Sequence, residues 1–182
     1  TWSDLQKLVP HITTASLLGY AFACPDMIGG GDYSSFVSGA ALDQELIVRS
    51  SQCHALMPMM QFSVAPWRVL DREHLAAVKK AVDIRQSFVP EIIRLASLSA
   101  KTGEPIVRNM EYAFPNQGFE DCRDQFMLGD SILVAPMVES GNSREVIFPE
   151  GTWRGKNNVL IKGPVKKRFD VPLDDLLWFK KN

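Results

Sequence analysis

The stretch PDMIGGG at residues 25–31 and the stretch PMMQFS at residues 58–63 decide the fold of this chain. Each is a short apolar run that ends in polar or glycine residues, and a helical pattern lies between them. Consecutive strands of a (β/α)8 barrel have this form, because their polar carboxyl ends line the catalytic mouth. The pattern therefore predicts two neighbouring parallel strands with the functional candidates beyond their ends.

The sequence around these stretches alternates between helical and strand-like patterns. Helical periodicity predicts three helices, over residues 3–18, 42–56 and 71–102. Short apolar runs predict two strands, over residues 20–24 and 57–62. We expect Ser3 to cap the first helix and Pro10 to break it. We also expect the last helix to be interrupted near Asp83 and Pro90. Residues 1–102 are therefore interpreted as part of a (β/α)8 barrel, with two consecutive strands and their helices.

The pattern changes at Gly103, where short apolar runs begin to alternate with turn residues. The runs cover residues 105–113, 132–136, 145–148, 159–161, 168–171 and 176–179. Glycine, proline and asparagine separate them, which is typical of an antiparallel sandwich. The predicted architecture is α/β followed by all-β, with a small β-sandwich over residues 103–182.

Composition excludes several classes of function. The 182 residues carry 20 basic and 21 acidic side chains, a net charge of −1, which disfavours nucleic acid as a partner. No apolar run reaches the length of a membrane span, and no signal peptide is visible. The three cysteines, Cys24, Cys53 and Cys122, have no CxxC spacing, which disfavours a disulfide framework or a zinc site. We expect no metal and no organic cofactor. The sequence does not indicate the cellular compartment of the protein.

Polar residues beyond barrel strands are the functional candidates, which selects Asp26, Gln61 and Ser63. The alternative for Asp26 is a turn or helix cap, and for Gln61 and Ser63 it is ordinary loop hydrogen bonding. The glycines do not form a phosphate-binding motif. A hydrolytic triad is disfavoured, since there is no G-x-S-x-G elbow and each histidine falls in a helical pattern.

Several motifs together, in order along the chain, resemble glycoside hydrolase family 31. They are Asp-Met-Ile-Gly-Gly at 26–30, Glu-Leu-x-x-Arg-x-x-Gln at 45–52, Pro66-Trp67, Gly-Glu-Pro at 103–105 and Phe-Pro-Glu-Gly-Thr-Trp at 148–153. The resemblance implies a retaining α-glycosidase, in which one carboxylate forms a glycosyl-enzyme intermediate and another is acid and base. It also implies that the two predicted strands are barrel strands seven and eight, so that residues 1–102 are the C-terminal part of the barrel. Both catalytic aspartates are then expected to precede Thr1, with Trp2 resembling the tryptophan that closes the acid/base motif.

The resemblance further implies the partners and the substrate-binding residues of this chain. Asp26, Gln61, Ser63 and Trp2 are expected to contact an α-linked oligosaccharide or glycoside in the −1 subsite. The other expected partner is the missing N-terminal half of the same enzyme, and homo-oligomers are possible. The isolated chain is expected to be inactive. Two rivals stay open: a carbohydrate-binding or interaction module using Trp153 or Trp178, and a catalytically dead family member.

The chain departs from the family pattern at positions that are expected to determine which sugar is recognised. The family usually carries Arg-x-His where this chain has Gln61-Phe62-Ser63. A neutral glutamine and serine cannot offer the hydrogen-bond donors of arginine and histidine. One branch of the family, that of the myogenesis-regulating glycosidase and its bacterial relatives, shares these departures and is associated with α-galactosides. The resemblance therefore favours α-galactoside slightly over α-glucoside.

Overall fold

Four helices form the N-terminal part of the computed structural model, which describes residues 1–29 and 42–182. They are α1 (Trp2–Leu17), α2 (Gln44–Ala55), α3 (Pro66–Val69) and α4 (Arg72–Thr102). Side-chain caps explain where they begin, because Asp43 accepts a hydrogen bond from the third residue of α2 and Asp71 from that of α4. Gly103 ends α4 with a left-handed backbone, φ +77°. The three long helices confirm the predicted ones.

Two predicted details of these helices are wrong. Helix α1 runs unbroken through Pro10 and begins after Thr1 rather than at Ser3, and α4 is one helix through Asp83 and Pro90. A proline in a helix loses one hydrogen bond and crowds the preceding turn. Buried apolar side chains lie on both sides of each proline, so tertiary packing offsets that local cost.

The two N-terminal strands are short and parallel. Strand β1 (Met27–Ile28) pairs with β2 (Gln61–Phe62), with Met27 opposite Gln61 and Ile28 opposite Phe62. The predicted strand over residues 20–24 is wrong, because that segment turns and exposes Tyr20 and Phe22. Of the strand predicted over residues 57–62, only the last two residues form one.

The guanidinium of Arg85 explains why β2 begins so late. It donates to the carbonyls of Ala55, Met57 and Pro58 at 3.1, 2.8 and 3.0 Å. These carbonyls close the end of α2 and hold the connecting segment against α4. Met57 is completely buried in the core instead of lying in a strand. Its carbonyl is occupied by the guanidinium and is not free to join a strand ladder.

The C-terminal part is one antiparallel sheet of six strands in the order β3-β4-β5-β8-β6-β7. The strands are β3 (Val107–Arg108), β4 (Phe126–Leu128), β5 (Ile132–Ala135), β6 (Ser143–Arg154), β7 (Leu160–Asp170) and β8 (Leu177–Lys181). A short helix, α5 (Met110–Ala113), follows β3, and a 3-10 turn joins β6 to β7. The prediction of antiparallel strands is confirmed, with three corrections: β4 lies outside the predicted runs, the run over residues 105–113 ends in helix α5, and the runs over 159–161 and 168–171 are one strand, β7.

Side chains alternate between two cores across the middle of this sheet. In β4, Phe126 and Leu128 pack with the helices, whereas Met127 packs with Phe148 and Trp153 on the other face. Both faces are covered, so all three residues of β4 are buried. Strands β4, β5 and β8 therefore form a middle layer, with the helices on one face and strands β6 and β7 packing on the other. The helices share the first core with one face of the sheet.

The described residues contain two parallel strands but no closed barrel. The helix-covered antiparallel sheet is the part of the predicted architecture that the structure contains. The parallel pair has the orientation predicted for two neighbouring barrel strands.

Candidate functional site

Strands β1 and β2 bring three of the four predicted substrate-binding residues onto neighbouring segments. Asp26 directly precedes β1, Gln61 begins β2 and Ser63 follows it. The backbone N–H and the hydroxyl of Ser63 both donate to the carbonyl of Ile28, at 3.0 and 3.1 Å. All three side chains are exposed. One expectation needs correction: Asp26 lies before its strand, because the strand begins later than predicted. We call these residues the strand edge.

The backbone of Asp26 is held more firmly than its side chain. Its carbonyl accepts a hydrogen bond from the Cys24 thiol at 3.4 Å and lies 3.1 Å from Nε2 of His54. Its carboxylate accepts from the backbone N–H of Met27 at 2.7 Å. The exposed carboxylate keeps acceptor capacity for a further partner. A local turn contact and a ligand contact are therefore compatible at this residue.

A cavity of about 440 Å³ adjoins Asp26. Its wall includes the carboxylates of Asp4, Asp26 and Asp43 together with His54. Gln61 and Ser63 are not part of this wall, so the structure does not place all candidates in one cavity. Hydrogen bonds from the Thr1 hydroxyl and Lys7 hold the pKa of Asp4 at about 2, so that carboxylate is charged at neutral pH. The rest of the wall is largely apolar, with Leu5, Leu8 and Leu46 among its residues, so the cavity combines carboxylates with apolar surface.

Trp2, the fourth candidate, lies at the start of α1 and contacts α2. Its indole N–H donates to Oδ2 of Asp43 at 2.8 Å, while the other carboxylate oxygen of Asp43 caps α2. The ring is partly buried against the helical core. Trp2 therefore ties two helices together beside the cavity, and no contact joins it to Gln61 or Ser63.

Sequence reasoning missed His54 as a site residue. It is 1% exposed, and its Nδ1 lies 2.7 Å from the carbonyl of Ser50, one turn earlier in α2. Burial lowers the pKa of His54, against the raising effect of the carbonyls of Ser50 and Asp26. A histidine on a buried helix must find partners, and that requirement is the signal that could have singled it out.

The Glu-Leu-x-x-Arg-x-x-Gln motif has a different role, because its arginine is buried between α2 and the sheet. Arg49 is 1% exposed, and burial lowers its pKa. Its guanidinium donates at 2.8 to 3.1 Å to three backbone carbonyls of the C-terminal part, those of Gly141, Val171 and Pro172. A fourth bond goes to Gln52 Oε1 at 3.1 Å.

The other two polar residues of this motif extend the same contact. Glu45 accepts from the Ser140 hydroxyl at 2.7 Å and from the backbone N–H of Gly141 at 3.0 Å. The amide of Gln52 donates to the carbonyl of Leu173 at 2.7 Å. Glu45, Arg49 and Gln52 therefore fasten α2 to the loops of the sheet, and we call them the Arg49 clamp.

Residues 1–29 and 42–182 contain neither a metal-binding cluster nor a membrane-spanning helix. No group of three or more histidine, cysteine, aspartate or glutamate side chains there could hold a metal ion. Among the same residues, no helix is both long enough and apolar enough to cross a membrane. Burial raises the pKa of the Cys53 and Cys122 thiols to about 12, so neither is a nucleophile at neutral pH.

Comparison with known proteins gives a family model and several similar proteins. Residues 103–181 match the family model described as Glycosyl hydrolase family 31 C-terminal domain. The mouse myogenesis-regulating glycosidase is 39% identical over 96% of this chain. The SITS-binding protein of Tetronarce californica is 32% identical over 98% of it. The chain spans about a quarter of these relatives, 26% of each.

A solved structure gives the same result. The family 31 dextranase of Flavobacterium johnsoniae superposes on all of this chain with a TM-score of 0.87 and 27% identity, and the chain covers 23% of it. That enzyme has been solved as a mutant complexed with isomaltotriose and also in complex with glucose.

Proposed function

Because this chain belongs to glycosyl hydrolase family 31, we propose that it is part of a retaining α-glycosidase and supplies one wall of its −1 sugar subsite. The observation that carries the proposal is the parallel pairing of β1 with β2. It places Gln61 opposite Met27, the residue that follows Asp26, and Ser63 directly after the paired residues, so that three exposed polar side chains lie on neighbouring segments. Barrel enzymes build their sites at the C-terminal ends of neighbouring parallel strands, which is where Ser63 lies, directly after β2.

In this proposal residues 1–102 are the last part of the catalytic barrel and residues 103–182 the proximal β-sandwich. The Arg49 clamp and the shared helix–sheet core support an arrangement in which the sheet braces the barrel helices. The nucleophile and the acid/base aspartate come from chain outside these residues. Asp26, Gln61, Ser63 and Trp2 bind and orient the sugar.

The proposed sugar is an α-galactoside in preference to an α-glucoside. The amide of Gln61 is exposed and can both donate and accept. The Ser63 hydroxyl donates its proton to the carbonyl of Ile28, so it offers a sugar only acceptor lone pairs. A sugar hydroxyl facing Ser63 must then donate. A site built for one hydroxyl epimer leaves polar groups unpaired with the other, which discriminates strongly.

The proposed macromolecular partner is the rest of the barrel. Large apolar side chains on the segment between α1 and β1 are exposed, among them Leu18 at 72%, Tyr20 at 69% and Phe22 at 55%. Exposed apolar clusters, and strands with unpaired backbone hydrogen-bonding groups, are typical of surfaces that another segment covers. Without that segment, we expect the isolated chain to associate with itself. Sedimentation at several concentrations would contradict this if the chain were a monomer throughout.

The rival of a carbohydrate-binding module on the sheet is less well supported. Trp153 is completely buried, and its indole N–H donates to the carbonyl of Pro149 at 3.0 Å. Trp178 packs edge-on against Phe88 of α4, with ring centroids 4.9 Å apart. Neither ring is an exposed platform on which a sugar could stack.

The experiment that tests the proposal compares two substrates in the active enzyme that contains this segment. Initial rates on p-nitrophenyl α-galactoside and α-glucoside would be measured alongside backbone chemical shifts during titration with galactose or glucose. We expect the galactoside to be cleaved faster, and galactose to perturb residues 26–28 and 61–63. Cleavage with no perturbation of these residues by either sugar would contradict the subsite assignment.

A further inference from the structure

The side chain of His54 lies between two backbone carbonyls that belong to different parts of the fold. Nδ1 is 2.7 Å from the Ser50 carbonyl within α2, and Nε2 is 3.1 Å from the Asp26 carbonyl at the strand edge. His54 is 1% exposed, so its ring is shielded from solvent. It is a direct link between the buried helix and the backbone of Asp26.

Carbonyl oxygens only accept hydrogen bonds, and a neutral imidazole carries one N–H. The neutral ring can therefore satisfy one of the two carbonyls, and the shorter distance favours the Ser50 carbonyl. The other ring nitrogen then turns a lone pair toward the Asp26 carbonyl, which is repulsive. The imidazolium has two N–H groups and can donate to both carbonyls at once.

We propose that His54 is a positioning residue, which ties the backbone of Asp26 to α2 and makes the position of that backbone depend on the protonation of the ring. The protonated ring draws the Asp26 carbonyl toward α2, and the neutral ring releases it. The inference rests on the proposed function, because it takes Asp26 as a residue of the sugar subsite.

The groups that face His54 come from several elements. Asp26 is the carboxylate at the strand edge that favours the charged ring, and Arg85 of α4 is the cation that opposes it. Asp4 of α1 and Asp43, which caps α2, line the same cavity. Burial is the largest influence and lowers the pKa of His54. Protonation of the ring in the folded protein therefore occurs below about pH 6.5, the ordinary value for histidine.

The lowered pKa of His54 determines how its contribution to the stability of the folded protein changes with pH. Because the folded-state pKa is lowered, the folded protein binds fewer protons at this ring than the unfolded chain. The stability that His54 contributes is complete above its ordinary pKa. It is lost as the pH falls from there through the lowered folded-state value. At acidic pH, therefore, the backbone of Asp26 is held more tightly, whereas the free energy of unfolding of the whole chain is lower.

Nuclear magnetic resonance of the full chain tests the link without any activity. We expect the ring nitrogens of His54 and the carbonyl carbon of Asp26 to titrate with one midpoint. His54→Gln keeps an amide donor but does not titrate, so it should abolish the step at Asp26. His11→Gln, at an exposed histidine of α1, is the matched control and should leave the step intact. A step at Asp26 that persists in His54→Gln, or is absent in the wild type, would overturn the proposal.

Kinetics of the active enzyme that contains this segment extend the test. Loss of the tether in His54→Ala should lower kcat/KM by about tenfold or more, since small displacements of binding groups are costly. His54→Gln should recover most of the lost kcat/KM, and its kcat/KM should change less with pH on the acid side than that of the wild type. Melting curves identify any variant that fails to fold, and His54→Gln still tests the link if His54→Ala unfolds.

Asp26→Asn separates this inference from the proposed function. If Asp26→Asn leaves kinetics unchanged, the subsite assignment fails, and the resonance titration still decides the link to His54. If Asp26→Asn impairs the enzyme while both His54 variants keep wild-type rates and pH profile, the positioning role is wrong and the subsite assignment stands.

Discussion

The Arg49 clamp and the strand edge both carry motifs of the same family, yet they differ in almost every physical property. Arg49 is 1% exposed and makes four short hydrogen bonds, three of them to distant backbone carbonyls. Asp26, Gln61 and Ser63 are exposed, and their described side-chain bonds are local or to the neighbouring strand. A family motif can therefore mark either folding or binding, and burial distinguishes the two.

The largest predicted effect concerns the chain by itself, which has the strand edge but neither proposed catalytic aspartate. We expect the purified chain not to hydrolyse p-nitrophenyl α-galactoside or α-glucoside. Loss of both the nucleophile and the acid/base should remove many orders of magnitude of rate. Turnover that exceeds a heat-treated control and survives repurification would show that the edge belongs to a complete active site.

The next effect is on stability and concerns the clamp. Arg49→Met should lower the free energy of unfolding by about 3–5 kcal/mol, because it leaves several buried backbone carbonyls without their donor. Chemical denaturation measures this change. The matched control is Arg123→Met at an exposed arginine, expected within about 0.5 kcal/mol of the wild type. Equal stability of the two variants would mean that the clamp does not hold the helices to the sheet.

A smaller effect is expected on sugar preference. In the active enzyme, Gln61→Arg combined with Ser63→His restores the donors usual in the family. We expect the ratio of kcat/KM for α-galactoside over α-glucoside to fall by about tenfold, the value of one well-placed hydrogen bond. Arg123→Met again provides the control. An unchanged ratio in a folded, active variant would mean that these two residues do not line the subsite.

The helices and most strands of this fold could be predicted from periodicity and turn residues, and the errors have physical causes. Pro10 and Pro90 did not break their helices, because buried apolar neighbours continue on both sides. Strand β4 was missed because both of its faces are buried, so it lacks the alternation that marks a half-buried strand. Local patterns carry no information about such tertiary coverage.

The candidate site was predictable in part. The pairing of β1 with β2 brings Asp26, Gln61 and Ser63 onto neighbouring segments, although Asp26 precedes its strand. A buried helical position could single out His54, but its link to Asp26 could not be predicted, because its two carbonyl partners lie 4 and 28 residues away and meet only in the folded chain. The role of Arg49 was likewise invisible, since its backbone partners come from loops about 90 to 120 residues later in the chain.

The measurement that tests the central contrast most directly is the effect of Asp26→Asn on the active enzyme, with kcat/KM and unfolding followed on the same preparation. If Asp26 binds sugar, kcat/KM should fall by about 10- to 100-fold, the value of a charged hydrogen bond, while the melting temperature stays near that of the wild type. If Asp26 serves only as a turn, kinetics should be unchanged and about 1–2 kcal/mol of stability should be lost. Unchanged kcat/KM with a lowered melting temperature would contradict the assignment of the strand edge to sugar binding.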